Sequence, residues 1–300
     1  MGRISFHLNG KPSNIVQKIP IFAAVKKLND IIRPLAAELA QFETFFEQTL
    51  HADTEPMNSI MRYVQESRGK RLRPLLVLLS AKLFDNVNER TLRAATFVEM
   101  VHSATLIHDD VVDDTDQRRD KASVKAQFGN LSAVLSGDYL LAKAMLLIAN
   151  DTDILNEMLC TTAAMSEGDL MQDASVRSLS PVRPLSLSKG VEGSKGRPKD
   201  AYLEIITRKT AMLMRSCCVS GALSVVATPE QIQHISDFGL NFGILFQLRD
   251  DLLDGENMEQ AQALLPEYLQ KTMESLERFP ASETLEALRD LTVFCAERKE

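Results

Sequence analysis

The sequence predicts a single all-α domain, and three observations carry the prediction. Apolar residues recur at helical spacing almost throughout, as in "AAVKKLNDIIRPLAAELAQFETFFEQTL" from Ala23 to Leu50. Continuous runs of Val, Ile and Thr bounded by turn pairs, the mark of strands, are missing. The 300 residues are 45% hydrophobic, enough for one sizeable core. Breaks at "SRGKRLRP", "FDNVNERT", "FGNLSAVLSGD", "ATPEQ" and "RFPASET" divide the chain into roughly ten or more helices.

Composition narrows the function. With 34 basic and 41 acidic residues the net charge is −7, which argues against a nucleic-acid binder. No apolar run reaches the roughly 18 residues that a membrane span needs. The start "MGRISFHLNGKPSN" lacks the apolar core of a signal peptide, and Phe6 stands where a myristoylation signal needs Ser or Thr. Cys160, Cys217, Cys218 and Cys295 show no metal-type spacing and read as reduced core thiols. These signs point to the cytoplasm.

Along the chain, "GKRLRP" predicts a helix with Lys70, Arg71 and Arg73 in its first turn and Pro74 at an N-terminal position. Backbone N–H groups and the helix dipole there favour phosphate. The next helix starts near Asn88 and runs into "IHDDVVDDTDQRRD", six aspartates and two arginines between Ile107 and Asp120. Asp109, Asp110 and Asp113 fall at i, i+1 and i+4, on one side of the helix. Unpaired they would repel, and a divalent cation reverses the sign; a few carboxylates completed by water and phosphate describe a magnesium site. An EF-hand is excluded because the required Gly is missing. Asp114, Asp116 and Asp120 read as a solvated helix end. His102, seven residues before Asp109, shares its face and reads either as a core histidine or as a ligand. Arg118 and Arg119 are solvent-exposed charges unless the metal site recruits them.

The tract "VRSLSPVRPLSLSKGVEGSKGRPKD", from Val176 to Asp200, carries no amphipathic face and reads as a flexible surface loop between two helices. "YLEIITRKTAMLM" then gives an amphipathic helix holding Lys209 and Thr210. In "FGLNFGILFQLRDDLLD", Gln247, Asp250, Asp251 and Asp254 fall at i, i+3, i+4 and i+7, again on one face. One acidic helix end is commonplace. Two D-D-x-x-D sets on apolar helices, facing across a cavity, would hold several Mg²⁺ ions against a polyanion.

The elements "GKRLRP", "HDDVVDDTDQRR", "LSGDYLLA", "EGDLMQ", "RKTA" and "GILFQLRDDLLD", in that order from Gly69 to Asp254, resemble the polyprenyl synthetase family of trans-isoprenyl diphosphate synthases. The resemblance implies the all-α isoprenoid synthase fold around a deep central cavity, usually a homodimer. It also implies three Mg²⁺ ions and two substrates, isopentenyl diphosphate and an allylic diphosphate. By position, Asp109, Asp110, Asp113, Asp250, Asp251 and Asp254 would bind Mg²⁺. Arg118, Lys209, Thr210 and Gln247 would hold the allylic diphosphate; Lys70, Arg73, His102 and Arg119 would hold isopentenyl diphosphate. Ala104 and Thr105, just before the first aspartates, are small where a bulky residue blocks chain growth in this family. Small residues there resemble the long-chain synthases, whose products commonly become quinone side chains.

Two stretches depart from the family pattern. Gln172 and Tyr202 stand 30 positions apart, about twice the usual spacing, which marks the Ser/Gly/Pro tract as extra. After Asp254 the chain passes directly to "DGENMEQAQALLPEYLQ", where the family pattern has a lysine- and glycine-rich lid and a further helix pair. The resemblance therefore leaves two readings, an active long-chain synthase or a weak or silent diphosphate-binding subunit of a heteromeric one.

Overall fold

Helix α5 (Glu89–Val112) is the spine on which the rest is arranged. A computed structural model describes residues 26–67, 69–118, 121–172 and 198–299. Asn88 starts α5 as expected: its side chain accepts from Thr91 N–H at 3.0 Å, and Thr91 Oγ1 accepts from Asn88 N–H at 3.3 Å. Reciprocal bonding of this kind satisfies two donors that a helix start leaves open. Before α5 come α1 (Leu28–Ile32), α2 (Ala36–Leu50), α3 (Glu55–Glu66) and α4 (Leu72–Phe84). After it come α6 (Val124–Phe128), α7 (Asn130–Leu147), α8 (Thr152–Gln172) and α9 (Pro198–Ile206). A π turn (Thr207–Ala211) leads into α10 (Met212–Ser224), α11 (Pro229–Asp254), α12 (Met258–Leu276) and α13 (Glu283–Glu297).

The all-α expectation holds, with one small addition. Gln117–Arg118 and Lys121–Ala122 form an antiparallel pair with Arg118 opposite Lys121. The helix expected at "GKRLRP" begins later than its sequence suggests. Arg71 is its N-cap in a left-handed conformation (φ 52°), so Lys70 and Arg71 precede α4 and only Arg73 lies in its first turn. The Ser/Gly/Pro tract also ends earlier than expected, because Pro198 and Asp200 already belong to α9. Its residues 176–197 lie outside the described ones. Cys160 is exposed, against the expectation of a core thiol, while the other three cysteines are buried; all four are free.

The core is layered helix on helix. Helix α4 is buried without a break from Pro74 to Ala81 because it lies under both α5 and α10. Helix α10 is equally enclosed, and Gly221 lets it approach α4 closely: a Cβ there would sit 2.3 Å from Val77 O. Gly221→Ala should therefore lower stability by about 2 kcal/mol or more through overpacking, read as a fall in the urea midpoint. An unchanged midpoint would show that the helices separate freely. A second, smaller core joins Tyr202 and Ile206 of α9 to Leu245 and Leu248 of α11 and Leu264 of α12. Gly255, left-handed at φ 75°, stops α11 at Asp254, and α12 begins three residues on.

Candidate active site

The carboxylates at the end of α5 divide by the face they occupy. One residue along a helix turns about 100°, so Asp109 and Asp110 diverge although they are neighbours. Asp109 is half-buried near Asp169 of α8 and Lys209 of the π turn. Burial, then the negative charge of Asp169, pushes its carboxyl up to about 6; Asp113 adds to the shift, and Lys209 and Arg118 oppose it. Asp113 caps the helix just past its end and is exposed, its N–H donating to Asp109 O at 2.8 Å. Asp110 turns the other way and is 3% exposed. It accepts from Arg118 Nε at 2.6 Å and pairs with Nη2 at 2.6 Å. Burial raises the Asp110 carboxyl and Arg118 pulls it back. The expected common side therefore has two edges: an open one at Asp109 and Asp113, and an engaged one at Asp110. Asp114 and Asp116 are exposed as expected, but both pair with Lys125 of α6. Asp120 and Arg119 lie outside the described residues.

The second set, at the end of α11, divides in the same way. Asp251 is 4% exposed and accepts from Tyr202 Oη at 2.5 Å, Gln247 Nε2 at 2.7 Å and Asn257 Nδ2 at 3.3 Å. Burial and this contact raise the Tyr202 hydroxyl well above its ordinary range. Asp254 is exposed. Asp250 lies between, paired with Arg298 Nη2. Burial raises its carboxyl while Arg298 lowers it; Asp254 and Asp251 add to the rise and Arg73 opposes it.

The π turn connects the two sets. Lys209 Nζ donates to Gln172 Oε1 at 3.0 Å and pairs with Asp169 at 3.1 Å, beside Asp109. The next residue, Thr210, donates from Oγ1 to Gln247 Oε1 at 2.7 Å, and Gln247 holds Asp251. A π turn inserts one residue into a helix and re-aims the side chains around it. Consecutive residues thus reach opposite acidic walls. Helical periodicity in "YLEIITRKTAMLM" gave no sign of it.

A basic cavity of about 580 Å³ adjoins the second wall, lined by Lys70, Arg73 and His102 among others. His102 is 8% exposed, buried as a core histidine would be, and its side also lines the cavity. Arg71 also lines the cavity, with its head group held by carboxylates. Its guanidinium donates to Glu43 at 3.1 Å and Glu99 at 2.5 Å and lies 4.6 Å over the Phe46 ring, which holds the loop that carries Lys70. Sequence reasoning missed Arg298, which lines the same cavity; a basic residue after the last apolar helix is too common to mark a site. Ala104 is fully buried in the main core and Thr105 is half-buried, its Oγ1 donating to His102 O at 2.9 Å.

Among the described residues no three His, Cys, Asp or Glu side chains gather into a ready-made metal cage. Mg²⁺ commonly uses one or two carboxylates together with substrate phosphates and water, so it does not require such a cage. The raised Asp109 carboxyl, held near Asp169 and Asp113, is the kind of like-charge group that a cation relieves. No helix among the described residues is long and apolar enough to cross a membrane.

Several known proteins are similar to this chain. An octaprenyl diphosphate synthase of Escherichia coli is 29% identical over 232 residues, covering 77% of this chain and 66% of that protein. An all-trans-nonaprenyl-diphosphate synthase of Rhodobacter capsulatus is 32% identical over 234 residues, covering 77% of this chain and 67% of that protein. The chain thus spans about two thirds or slightly less of these relatives' lengths. A crystal structure of a polyprenyl synthase from Caulobacter crescentus, complexed with calcium and isoprenyl diphosphate, superposes with a TM-score of 0.77 at 25% identity, covering 93% of this chain and all of that one. The sequence model of the polyprenyl synthetase family matches residues 54–263, two acidic walls and the π turn included, and the chain belongs to that family.

Proposed function

We propose that the chain is a Mg²⁺-dependent prenyltransferase that joins isopentenyl diphosphate head to tail to an allylic diphosphate and makes long trans-polyprenyl diphosphates. Such products suit quinone side chains. One observation carries the reading: the open carboxylates Asp109, Asp113 and Asp254, with Asp250 beside the last and held by Arg298, flank a π turn whose Lys209 and Thr210 reach one wall each. Asp109, Asp113, Asp250 and Asp254 would hold Mg²⁺, which supplies positive charge to the diphosphate oxygens as the allylic C–O bond breaks. Asp110 and Asp251, already engaged by Arg118 and Tyr202, position the two walls instead.

Lys209, Thr210, Gln247 and Arg118 would orient the allylic diphosphate, so that the departing group carries the C–O electron pair into a cationic pocket. Lys70, Arg73 and His102 would seat isopentenyl diphosphate in the neighbouring cavity, with its double bond toward the allylic carbon. That double bond supplies the electrons of the new C–C bond, and the proton then lost passes to the released diphosphate. Such a reaction would need water kept from the allylic cation. An exposed stripe on α7, with Leu131, Leu135 and Leu146 on one face, fits the seam of a homodimer.

The test is incubation with labelled isopentenyl diphosphate, farnesyl or geranylgeranyl diphosphate and Mg²⁺, followed by product chromatography. Elongated products that vanish with chelator support the reading. Tight diphosphate binding without elongation would make the chain a binding subunit instead. For product length, Ala104→Phe should shorten the main product to about three or four isoprene units while lowering stability by about 1–3 kcal/mol. An unshortened distribution from the active variant would place the growing tail along another wall.

A further inference from the structure

Arg298 stands where the second acidic wall meets the basic cavity. Its Nη2 pairs with Asp250 Oδ1 and approaches Phe246 O at 3.4 Å. The guanidinium lies over the Phe246 ring, 4.2 Å from the centroid, and the side chain is 10% exposed. Its main chain is anchored separately, because Arg249 Nε donates to Arg298 O at 2.8 Å. The Nε atom is buried and, among the described residues, has no hydrogen-bond partner. The same side chain lines the cavity that holds Lys70, Arg73 and His102.

A guanidinium presents its donors as a planar fork suited to two oxygens of one oxyanion. Here one nitrogen is engaged by a carboxylate, while a buried N–H goes unused beside a cavity lined with cations. We propose that Arg298 is an exchangeable counter-cation: it neutralises Asp250 while no divalent cation is bound there, and turns onto the diphosphate in the basic cavity when the cation takes Asp250. The inference rests on the metal reading given above for Asp250. Arg298 and the cation compete for the same carboxylate oxygen, so loading one displaces the other. Linkage is reciprocal: a diphosphate that draws Arg298 away strengthens cation binding at Asp250, and the cation strengthens diphosphate binding in the cavity.

The test uses Mn²⁺ alone, with the full chain and no diphosphate, following free Mn²⁺ by electron paramagnetic resonance. Arg298→Gln should tighten the Asp250-dependent site about tenfold, within the usual range of site coupling. Asp250→Asn should remove that site, and the double variant should match Asp250→Asn. Arg298→Lys, which keeps the charge but not the fork, should fall between wild type and Arg298→Gln, and it decides the matter if the Gln variant does not fold. Metal-free binding of inorganic pyrophosphate should weaken several-fold in Arg298→Gln, in line with the same coupling. Superimposable Mn²⁺ titrations of wild type and Arg298→Gln, both with an Asp250-dependent site, would overturn the exchange and leave the metal reading standing. Absence of Mn²⁺ binding in every protein, wild type included, would overturn both.

Discussion

Asp109→Asn is expected to lower turnover by at least about a thousandfold, roughly 4 kcal/mol of barrier, while the fold survives. The side chain keeps its size and loses only the charge and the hard oxygen donor. Packing does not depend on that charge. Burial and Asp169 already disfavour it, which is why its carboxyl titrates near 6 instead of in the ordinary range. Removing a disfavoured charge should leave the melting temperature unchanged or slightly raised. Circular dichroism and thermal melts check the fold, and product chromatography checks turnover. Near-normal activity in a folded Asp109→Asn would remove Asp109 from the metal site.

The opposite split is expected at Asp251, where structure is lost first. Asp251→Ala deletes the acceptor of Tyr202, Gln247 and Asn257 in a nearly closed environment. Leaving such donors without a partner should cost about 3 kcal/mol, read as a lower urea midpoint. Tyr202→Phe, which removes one donor and keeps the acceptor, should cost less, about 1 kcal/mol. Activity should also fall in Asp251→Ala, because Gln247 would lose the partner that fixes it toward Thr210. Equal stability of Asp251→Ala and wild type would mean that water replaces the carboxylate at no loss.

The helices and the two acidic sets were legible because their causes are local. The start at Asn88 depends on bonds within three residues, and the second aspartate set on spacing within two helical turns. The roles inside each set were not legible, because they depend on distant partners. Asp110 and Asp109 look alike in sequence; Arg118, folded back by a hairpin of two-residue strands, separates them. Arg298 is 48 positions from Asp250, with nothing between them to suggest a meeting. Arg71 reads as one more phosphate-facing cation in "GKRLRP", but a left-handed backbone turns it toward Glu43 and Glu99. The expected lid region is occupied by a turn of three residues, Gly255 to Asn257, between α11 and α12, which accords with the direct passage seen in the sequence.

The π turn has a consequence for how such a chain can change over generations. A substitution in Thr207–Ala211 alters one contact, whereas loss of a single residue there would convert α9, the turn and α10 into one regular α-helix. Everything upstream of the lost residue would rotate by about 100° against everything downstream. Tyr202 would leave Asp251, and Lys209 would leave Asp169, although every remaining side chain was retained. The shortened helix would gain regular hydrogen bonding and forfeit the acidic walls' common link. The fold should therefore survive substitution in these five residues better than deletion of one of them, whatever Lys209 and Thr210 do for the diphosphate, and ancestry of the fold is better traced there by length than by identity.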